Sequence, residues 1–406
     1  MAAAVPPPLS RWPPRSWSTT LPEEPKEPAT VKLKLKPKLD RRLIRNFDYF
    51  LLLTVIVLCA AGTLTLYSAT HGLEGIPDPF HFVKRQLLFG GIGLFLMLVV
   101  ALIDYINFSN WAIYLYAFNL LLLGLVLLVG EVEKGAMRRI PIGFFDLQPS
   151  EIAKIIMIIA LARLLAAKEG QLPFFRDLLP ALAATALPMA LIFLQPDLGT
   201  SLIFLAVLLG MLYVAGTQGR HLAVLAGGGL AVAPLLWFFL LEGYQKDRLL
   251  VFINPEMDPV DKGFQLLQSM IGIGSGGLFG KGPLNSTQVR LGFLPDHYTD
   301  MIFSVFGEEM GYIGAVALLL LYFFLIYRIL WISTQAKDQF GALICCGIAV
   351  MFAFQVLVNI GMTISIMPVT GIPLPFMSYG NNALLVNLIS IGFVLNVAMR
   401  RHKIQF

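Results

Sequence analysis

Apolar runs of about 20 residues, each almost free of charge, recur along most of the chain. This is the length that an α-helix needs to cross the hydrocarbon core of a bilayer. Ten segments are predicted as transmembrane helices: 49–68, 86–104, 111–129, 151–167, 178–194, 198–216, 222–241, 301–327, 341–362 and 383–399. The pattern therefore predicts an all-α, polytopic membrane protein with about ten transmembrane helices.

Composition supports this class. The 406 residues are 57% hydrophobic and 14% charged, with a mean hydropathy of +0.75, whereas a soluble domain has roughly a quarter charged residues. The net charge of +5 indicates contact with membrane lipids of negative charge. The chain has no aromatic-and-basic binding module, so we expect no nucleic-acid partner.

Charge and apolarity divide the chain into two regions. Residues 1–46 are rich in Pro, Lys and Glu and contain no apolar helix, so we expect a disordered basic cytoplasmic tail; residues 47–406 form the membrane domain. Basic residues flank the first and last spans, which predicts that both termini are cytoplasmic. With ten crossings, 130–150 faces out, and 242–300 is a large extracellular loop between helices 7 and 8.

The outward segment 130–150 departs from the charge rule, since short external loops are normally poor in Lys and Arg. It contains Lys134, Arg138 and Arg139. These cations either pair with acidic neighbours such as Asp146 or bind an external anion such as a phosphate. Both interpretations remain open from the sequence.

Ionisable residues inside predicted spans are costly and usually face a partner or a cavity. Glu151 and Lys154 are three residues apart, so they share one helical face, either as a self-sufficient pair or as the lining of a cavity. Asp197 follows a proline and is expected to cap the next helix. For Glu308 and Glu309, pairing with a basic residue of another helix is favoured over a chemical role.

A polar stretch gives way to an apolar helix between Asn285 and Gly314, and it contains Arg290 and Asp300. Asp300 is either the cap of the eighth span or a proton acceptor at the membrane boundary. Glycines at 272–282 lack the strand–turn–helix context of a nucleotide site, so close backbone packing or flexibility explains them better. The Pro-rich segment 359–383 is not expected to form a regular helix. It is predicted to form a second wall of the cavity considered for Glu151 and Lys154.

Several stretches are similar to the SEDS family (shape, elongation, division and sporulation proteins) over about residues 45–400. The motifs that carry the resemblance are GAMRR, LQPSEIAK, QPDLGT, GFLPDHYTDMIFSVFGEEMG and NIGMTISIMPVTGIPLPFMSYG. Within the family, VFINPEMDPVDKGFQLLQS resembles the RodA branch more than the FtsW branch.

The resemblance implies a peptidoglycan glycosyltransferase that polymerises lipid II at the outer face of the bacterial cytoplasmic membrane, in cell elongation and shape. It places Asp300 on the family's essential acid. It also implies that the protein acts together with a class B penicillin-binding protein, which is a transpeptidase, and with other membrane proteins of the elongation complex. Further family motif positions fall on Arg138, Glu151, Lys154, Asp197, Ser378, Tyr379 and Gly380.

Three positions depart from the family pattern. Tyr298 stands where His is usual, Arg139 where Trp is usual, and Asn381 where Gly is usual. A role for that histidine therefore cannot be transferred to this chain.

Glycan polymerisation needs a base for the attacking hydroxyl and positive charge for the departing diphosphate. We therefore hypothesise that Asp300 is the base and that Arg138, with Lys154 and Arg290, stabilises the diphosphate. Glu151 either orients Lys154 or shares a divalent cation, Mg²⁺ or Mn²⁺. The competing functions are a lipid II flippase or transporter and a non-catalytic cell-wall scaffold.

Overall fold

A computed structural model describes residues 45–71, 78, 80–133, 136–143, 145–168, 172–239, 243–258, 262–295 and 297–401. Nearly all of the predicted N-terminal tail lies outside these residues. The prediction that it is disordered is therefore not tested.

Helices occupy all ten segments that were predicted to span the membrane. They are α1 (Tyr49–Thr70), α2 (His81–Leu102), α3 (Tyr105–Val129), α4 (Pro149–Ala166), α5 (Leu179–Leu194), α6 (Leu198–Val214), α7 (Gly219–Phe239), α11 (Ile302–Thr334), α12 (Gln339–Thr363) and α13 (Asn381–Arg400). Most of their residues are apolar, which suits contact with lipid. The helical conformation satisfies the backbone polar groups within each segment.

Within the described ranges, seven helices are long and apolar enough to cross a membrane, and Leu198–Val214 is a shorter apolar helix. α4 is less apolar because Glu151, Lys154 and Arg163 fall within its 18 residues. A polytopic helical membrane protein is confirmed. Ten crossings and the cytoplasmic position of both termini stay predictions.

The segment 242–300 contains more regular structure than the predicted long loop. It forms α8 (Gly243–Ile253), α9 (Lys262–Ser275) and the short α10 (Thr287–Arg290). α9 buries one face, on which Leu266 and Ser269 are fully shielded. The Ser269 hydroxyl donates to Thr363 O at 2.7 Å, which ties this face to the end of α12. The prediction missed α9 because its buried face includes polar residues.

A small antiparallel sheet lies between α3 and α4 in the segment 130–150. Its strands are β1 (Glu131–Glu133), β2 (Ala136–Ile142) and β3 (Phe145–Leu147), in the order β1-β2-β3. β2 turns into β3 at Gly143, whose φ is 62°, a conformation that glycine adopts without steric cost. The sheet presents Arg138 and Arg139 as consecutive residues of one strand.

α11 is interrupted at Gly311, where φ is 66° and ψ is −167°. The glycine segment, residues 276–284, runs beside this break: Tyr312 N donates to Gly277 O at 2.8 Å, and Lys281 N donates to Glu308 O at 3.1 Å. A Cβ on Gly280 would lie 2.0 Å from Glu309 O, so the backbones approach too closely for a side chain. Close backbone packing therefore explains Gly276 and Gly280, whereas a Cβ on Gly274 or Gly277 would meet nothing within 4 Å.

Candidate active site

Asp300 lies just before α11 and is half-buried. The helix begins at Ile302 with Met301 as its N-cap, so the interpretation of Asp300 as the cap is wrong. Its carboxylate lies against Gly371, since a Cβ there would be 3.4 Å from Asp300 Oδ2. The aspartate thus lies where the start of α11 meets the segment around residue 371.

Asn359 fixes the backbone on both sides of this junction. Its Nδ2 donates to Asp300 O at 2.9 Å and to Ile372 O at 2.8 Å, and its side chain is fully buried. Sequence reasoning did not single out this residue, although a buried amide within an apolar helix is a signal for a partner. Asn359 therefore positions Asp300.

A second group of polar side chains gathers around the turn between α5 and α6. Arg138 donates through Nε to Gln195 O at 3.5 Å and through Nη2 to Pro196 O. Asp197 caps α6, since its carboxylate accepts Thr200 N at 3.2 Å. The predicted capping role of Asp197 is confirmed, and the turn anchors the guanidinium of Arg138.

Glu151 and Lys154 form an ion pair in the first turn of α4. Lys154 Nζ lies 2.8 Å from Glu151 Oε2, and the two side chains are 1% and 6% exposed. The predicted shared helical face is confirmed. Ser150, the preceding residue, lies 3.5 Å through Oγ from Asp197 Oδ2, which joins this pair to the α5–α6 turn.

The α5–α6 turn also meets the segment that holds Asp300. A Cβ on Gly199 would lie 2.9 Å from Ile372 Cγ1 and 3.1 Å from Thr370 O. Residues 370–372 therefore contact both the α5–α6 turn and the Asp300 carboxylate. The structure thus links the predicted cations and the predicted base through one short, irregular segment.

The remaining predicted site residues differ in their surroundings. Ser378 is buried, and its Oγ accepts Leu374 N at 2.8 Å, which is a structural contact in the irregular segment. Tyr379 N donates to Tyr298 O at 2.9 Å, close in sequence to Asp300. Arg290 is exposed at the end of α10, with Nη2 3.3 Å from Asn285 Oδ1.

Glu308 and Glu309 have structural partners, but neither partner is the basic residue of another helix that was predicted. Glu308 pairs with Lys281 at 2.6 Å, although this lysine belongs to the glycine segment and not to another helix. Glu309 accepts from Ser68 Oγ of α1. Both carboxylates therefore fasten the start of α11 to its neighbours.

Glu151 alone does not complete a metal centre. Among the described residues, no group of three or more His, Cys, Asp or Glu side chains is placed to hold a metal ion. Its carboxylate is already paired with Lys154. A cation at Glu151 would therefore need most of its oxygen ligands from a substrate and from water.

We expect Lys154→Met to lower the free energy of unfolding by about 3 kcal/mol, because it leaves the buried Glu151 carboxylate unpaired. The double variant Glu151→Gln/Lys154→Met removes both charges and should recover more than half of this loss. Thermal unfolding in detergent measures both. Lys168→Met is the control, since its ammonium lies 3.7 Å from Asp177 at an exposed position and should matter little. Equal losses in the single and double variants would show that the pair is not coupled.

These features define a class: a helical, polytopic membrane protein in which one irregular segment links a half-buried carboxylate to a group of buried and half-buried cations. The model of the FtsW/RodA/SpoVE cell cycle proteins matches residues 49–403. The chain belongs to this family, which confirms the resemblance found in its motifs.

Relatives and solved structures agree with this assignment. The chain is 38% identical over 360 residues to the peptidoglycan glycosyltransferase MrdB of Escherichia coli (strain K12), covering 89% of this chain and 95% of that one. The RodA crystal structure from Thermus thermophilus matches with a TM-score of 0.66 and 32% identity, covering 88% of this chain and 98% of that chain. A structure described as "Structural coordination of polymerization and crosslinking by a peptidoglycan synthase complex" matches with a TM-score of 0.73 and 32% identity, over 87% and 97% of the two chains.

Proposed function

We propose that this chain is a peptidoglycan glycosyltransferase that polymerises lipid II into glycan strands, at the outer face of the bacterial cytoplasmic membrane, during cell elongation. The observation that carries the proposal is the half-buried Asp300 carboxylate against Gly371, in a chain of the FtsW/RodA/SpoVE family. A partly shielded carboxylate of fixed position is suited to accept a proton from a bound sugar hydroxyl.

In the proposed reaction, the 4-hydroxyl oxygen of one lipid-linked sugar attacks the anomeric carbon of another. The new C–O bond forms as the bond from that carbon to undecaprenyl diphosphate breaks, and the hydroxyl proton passes to Asp300. Asn359 supports this step, because its two hydrogen bonds hold the main chain at Asp300 and Ile372. A fixed base avoids the loss of rate that follows from a small misplacement.

Arg138 is proposed to stabilise the departing diphosphate. Its contacts with the carbonyls of Gln195 and Pro196 orient the guanidinium but use only part of its five N–H donors. Lys154 contributes positive charge from a buried position beside Glu151, and exposed Arg290 is a further candidate contact. A guanidinium suits this task because its planar fork matches phosphate oxygens.

A divalent cation, Mg²⁺ or Mn²⁺, is also proposed, with Glu151 as its protein ligand. It would neutralise charge on the diphosphate. A lone carboxylate combined with substrate oxygens is a usual environment for Mg²⁺.

A class B penicillin-binding protein is the proposed partner, together with other membrane proteins of the elongation complex. The support is the similarity to the chain in the peptidoglycan synthase complex. Both termini are proposed to be cytoplasmic.

The test uses the purified full-length protein in detergent with lipid II and Mg²⁺ or Mn²⁺. We expect glycan strands, seen as a ladder of labelled products on a gel, and their loss after addition of a chelator. If the monomer stays intact while proteoliposomes carry labelled lipid II across the bilayer, the protein is a flippase. If it does neither, a scaffold role replaces the enzyme, and strands formed after chelation would remove the cation from the proposal.

A further inference from the structure

Three aromatic rings from separate parts of the chain meet close to Asp300. Phe82 of α2 lies 5.0 Å, between ring centroids, from both Tyr298 and Tyr379, and the two tyrosine rings are 6.0 Å apart. All three side chains are only half-buried. A hydrogen bond from Tyr379 N to Tyr298 O fixes the main chains of the two tyrosines relative to each other. The three rings form a partly open surface, and one of them, Tyr298, is two residues before the proposed base in sequence.

Two arginines adjoin this surface. Arg85 follows Phe82 by three residues on α2, and residues at that spacing share a helical face. Arg139 reaches the same place from β2, because the sheet is held there by Asn382 Nδ2, which donates to Asp146 O at 2.7 Å. Burial raises the pKa of Tyr379, and the Arg85 and Arg139 guanidiniums act against that rise, so both charges lie within electrostatic range of its hydroxyl.

The strand β2 separates this group from the cation assigned to the departing diphosphate. Successive side chains of a strand point to opposite faces. Arg138 faces the carbonyls of Gln195 and Pro196, whereas Arg139 lies on the side of Tyr379. One strand thus presents two guanidiniums to two different environments.

The reaction in the proposed function needs two lipid-linked substrates, and each of them carries a diphosphate. Phosphate oxygens accept charge-assisted hydrogen bonds from arginine, while the C–H face of a pyranose ring packs against aromatic rings in a mostly apolar pocket. The rings and the arginines therefore lie side by side and can contact both parts of a sugar diphosphate. The combination distinguishes a sugar diphosphate from a simple phosphate, which would need the arginines alone.

We propose that this aromatic–arginine cluster is a second substrate subsite, which binds the sugar and diphosphate of the lipid II molecule that supplies the attacking hydroxyl. This assignment rests on the proposed function, with Arg138 serving the other substrate. Tyr298 of this cluster lies two residues before Asp300, the group that receives the hydroxyl proton. The cluster consists of Phe82, Arg85, Arg139, Tyr298, Tyr379 and Asn381.

The positions at which this chain departs from its family pattern support the proposal. Arg139, Tyr298 and Asn381 are far apart in sequence, yet all three surround Tyr379. Replacement of a usual tryptophan by Arg139 adds a positive charge to this surface. Such a grouping indicates that the three residues act together on one ligand contact.

The experiment counts lipid II molecules bound to the full-length Asp300→Asn protein in detergent, where turnover is blocked. We expect two lipid II molecules per protein. Adding Arg85→Gln and Arg139→Gln should weaken one site about tenfold to hundredfold, because charge-assisted hydrogen bonds are lost, and leave the other unchanged. Adding Lys84→Gln instead is the matched control, since Lys84 pairs with Asp78 at the surface, and two sites should remain.

Further measurements test whether this site binds a sugar diphosphate, a simple anion or no substrate. Adding Tyr379→Leu should weaken lipid II binding at this site but leave the binding of undecaprenyl diphosphate unchanged, since only the sugar contact is removed. Two unaltered sites in the arginine variant, with an unchanged melting temperature, would overturn the subsite. Displacement of the second lipid II by phosphatidylglycerol at equal affinity would overturn its assignment to a sugar diphosphate. If the Asp300→Asn protein itself binds no lipid II, the proposed function fails as well.

Discussion

Replacing Asp300 with asparagine is expected to lower glycan polymerisation by about 10²–10⁴-fold, the usual contribution of a general base. The asparagine side chain has nearly the same shape as the aspartate but cannot accept the hydroxyl proton at neutral pH. The main chain should keep its place, because Asn359 binds the carbonyl of residue 300, which the substitution leaves unchanged. The measurement is the rate of strand formation from lipid II by the purified variant.

The control for this variant is Asp78→Asn, which makes the same chemical change at an exposed carboxylate paired with Lys84. It should polymerise at the rate of the unmodified protein. Asp300→Asn should also keep its melting temperature, which separates lost chemistry from lost folding. Full activity in Asp300→Asn would remove Asp300 from the mechanism, whereas a large fall in melting temperature would assign it a structural role.

The helices could be predicted from the sequence because their signal is local. A run of about 20 apolar residues is sufficient to identify a membrane helix, and each of the ten predicted segments is helical. α9 was missed because its buried face carries residues such as Ser269, whose partner, Thr363 O, is supplied by a distant helix. Hydropathy does not contain that information.

The candidate site was only partly predictable, because many of its contacts join residues that are distant in sequence. Glu151 and Lys154 lie on one helical turn, so their spacing alone predicted a shared helical face, and the structure shows that they pair there. Asn359 acts on Asp300 from 59 residues further along the chain, and no local pattern predicts that contact. Arg85 lies just before the predicted span 86–104, and only the packing of α2 (His81–Leu102) beside Tyr379 makes it a candidate for binding.

Glu308 is expected to have the largest effect on stability of the residues near the site. Its carboxylate is almost fully buried and accepts hydrogen bonds from Lys281 Nζ at 2.6 Å, Ser286 Oγ at 2.6 Å and Thr287 N at 2.9 Å. These donors all belong to the chain that leads from the glycine segment into α10. One side chain therefore fastens that chain to the first part of α11.

Glu308→Ala should lower the free energy of unfolding by about 3–5 kcal/mol, because it leaves a partly buried ammonium and several donors without their acceptor. The apparent melting temperature in detergent should fall by roughly 5–10 °C. Glu256→Ala is the matched control: that glutamate is exposed in the segment 242–300, and its loss should change stability by less than about 0.5 kcal/mol.

A second variant identifies the cause of this loss. Glu308→Ala/Lys281→Met removes the unpaired ammonium and should be more stable than Glu308→Ala alone, since a buried charge without a partner accounts for much of the cost. Because α11 begins only six residues before Glu308, loosening this contact should also displace Asp300 and reduce polymerisation below the melting temperature. Equal melting temperatures for Glu308→Ala and Glu256→Ala would show that the glycine segment is held by its backbone contacts alone.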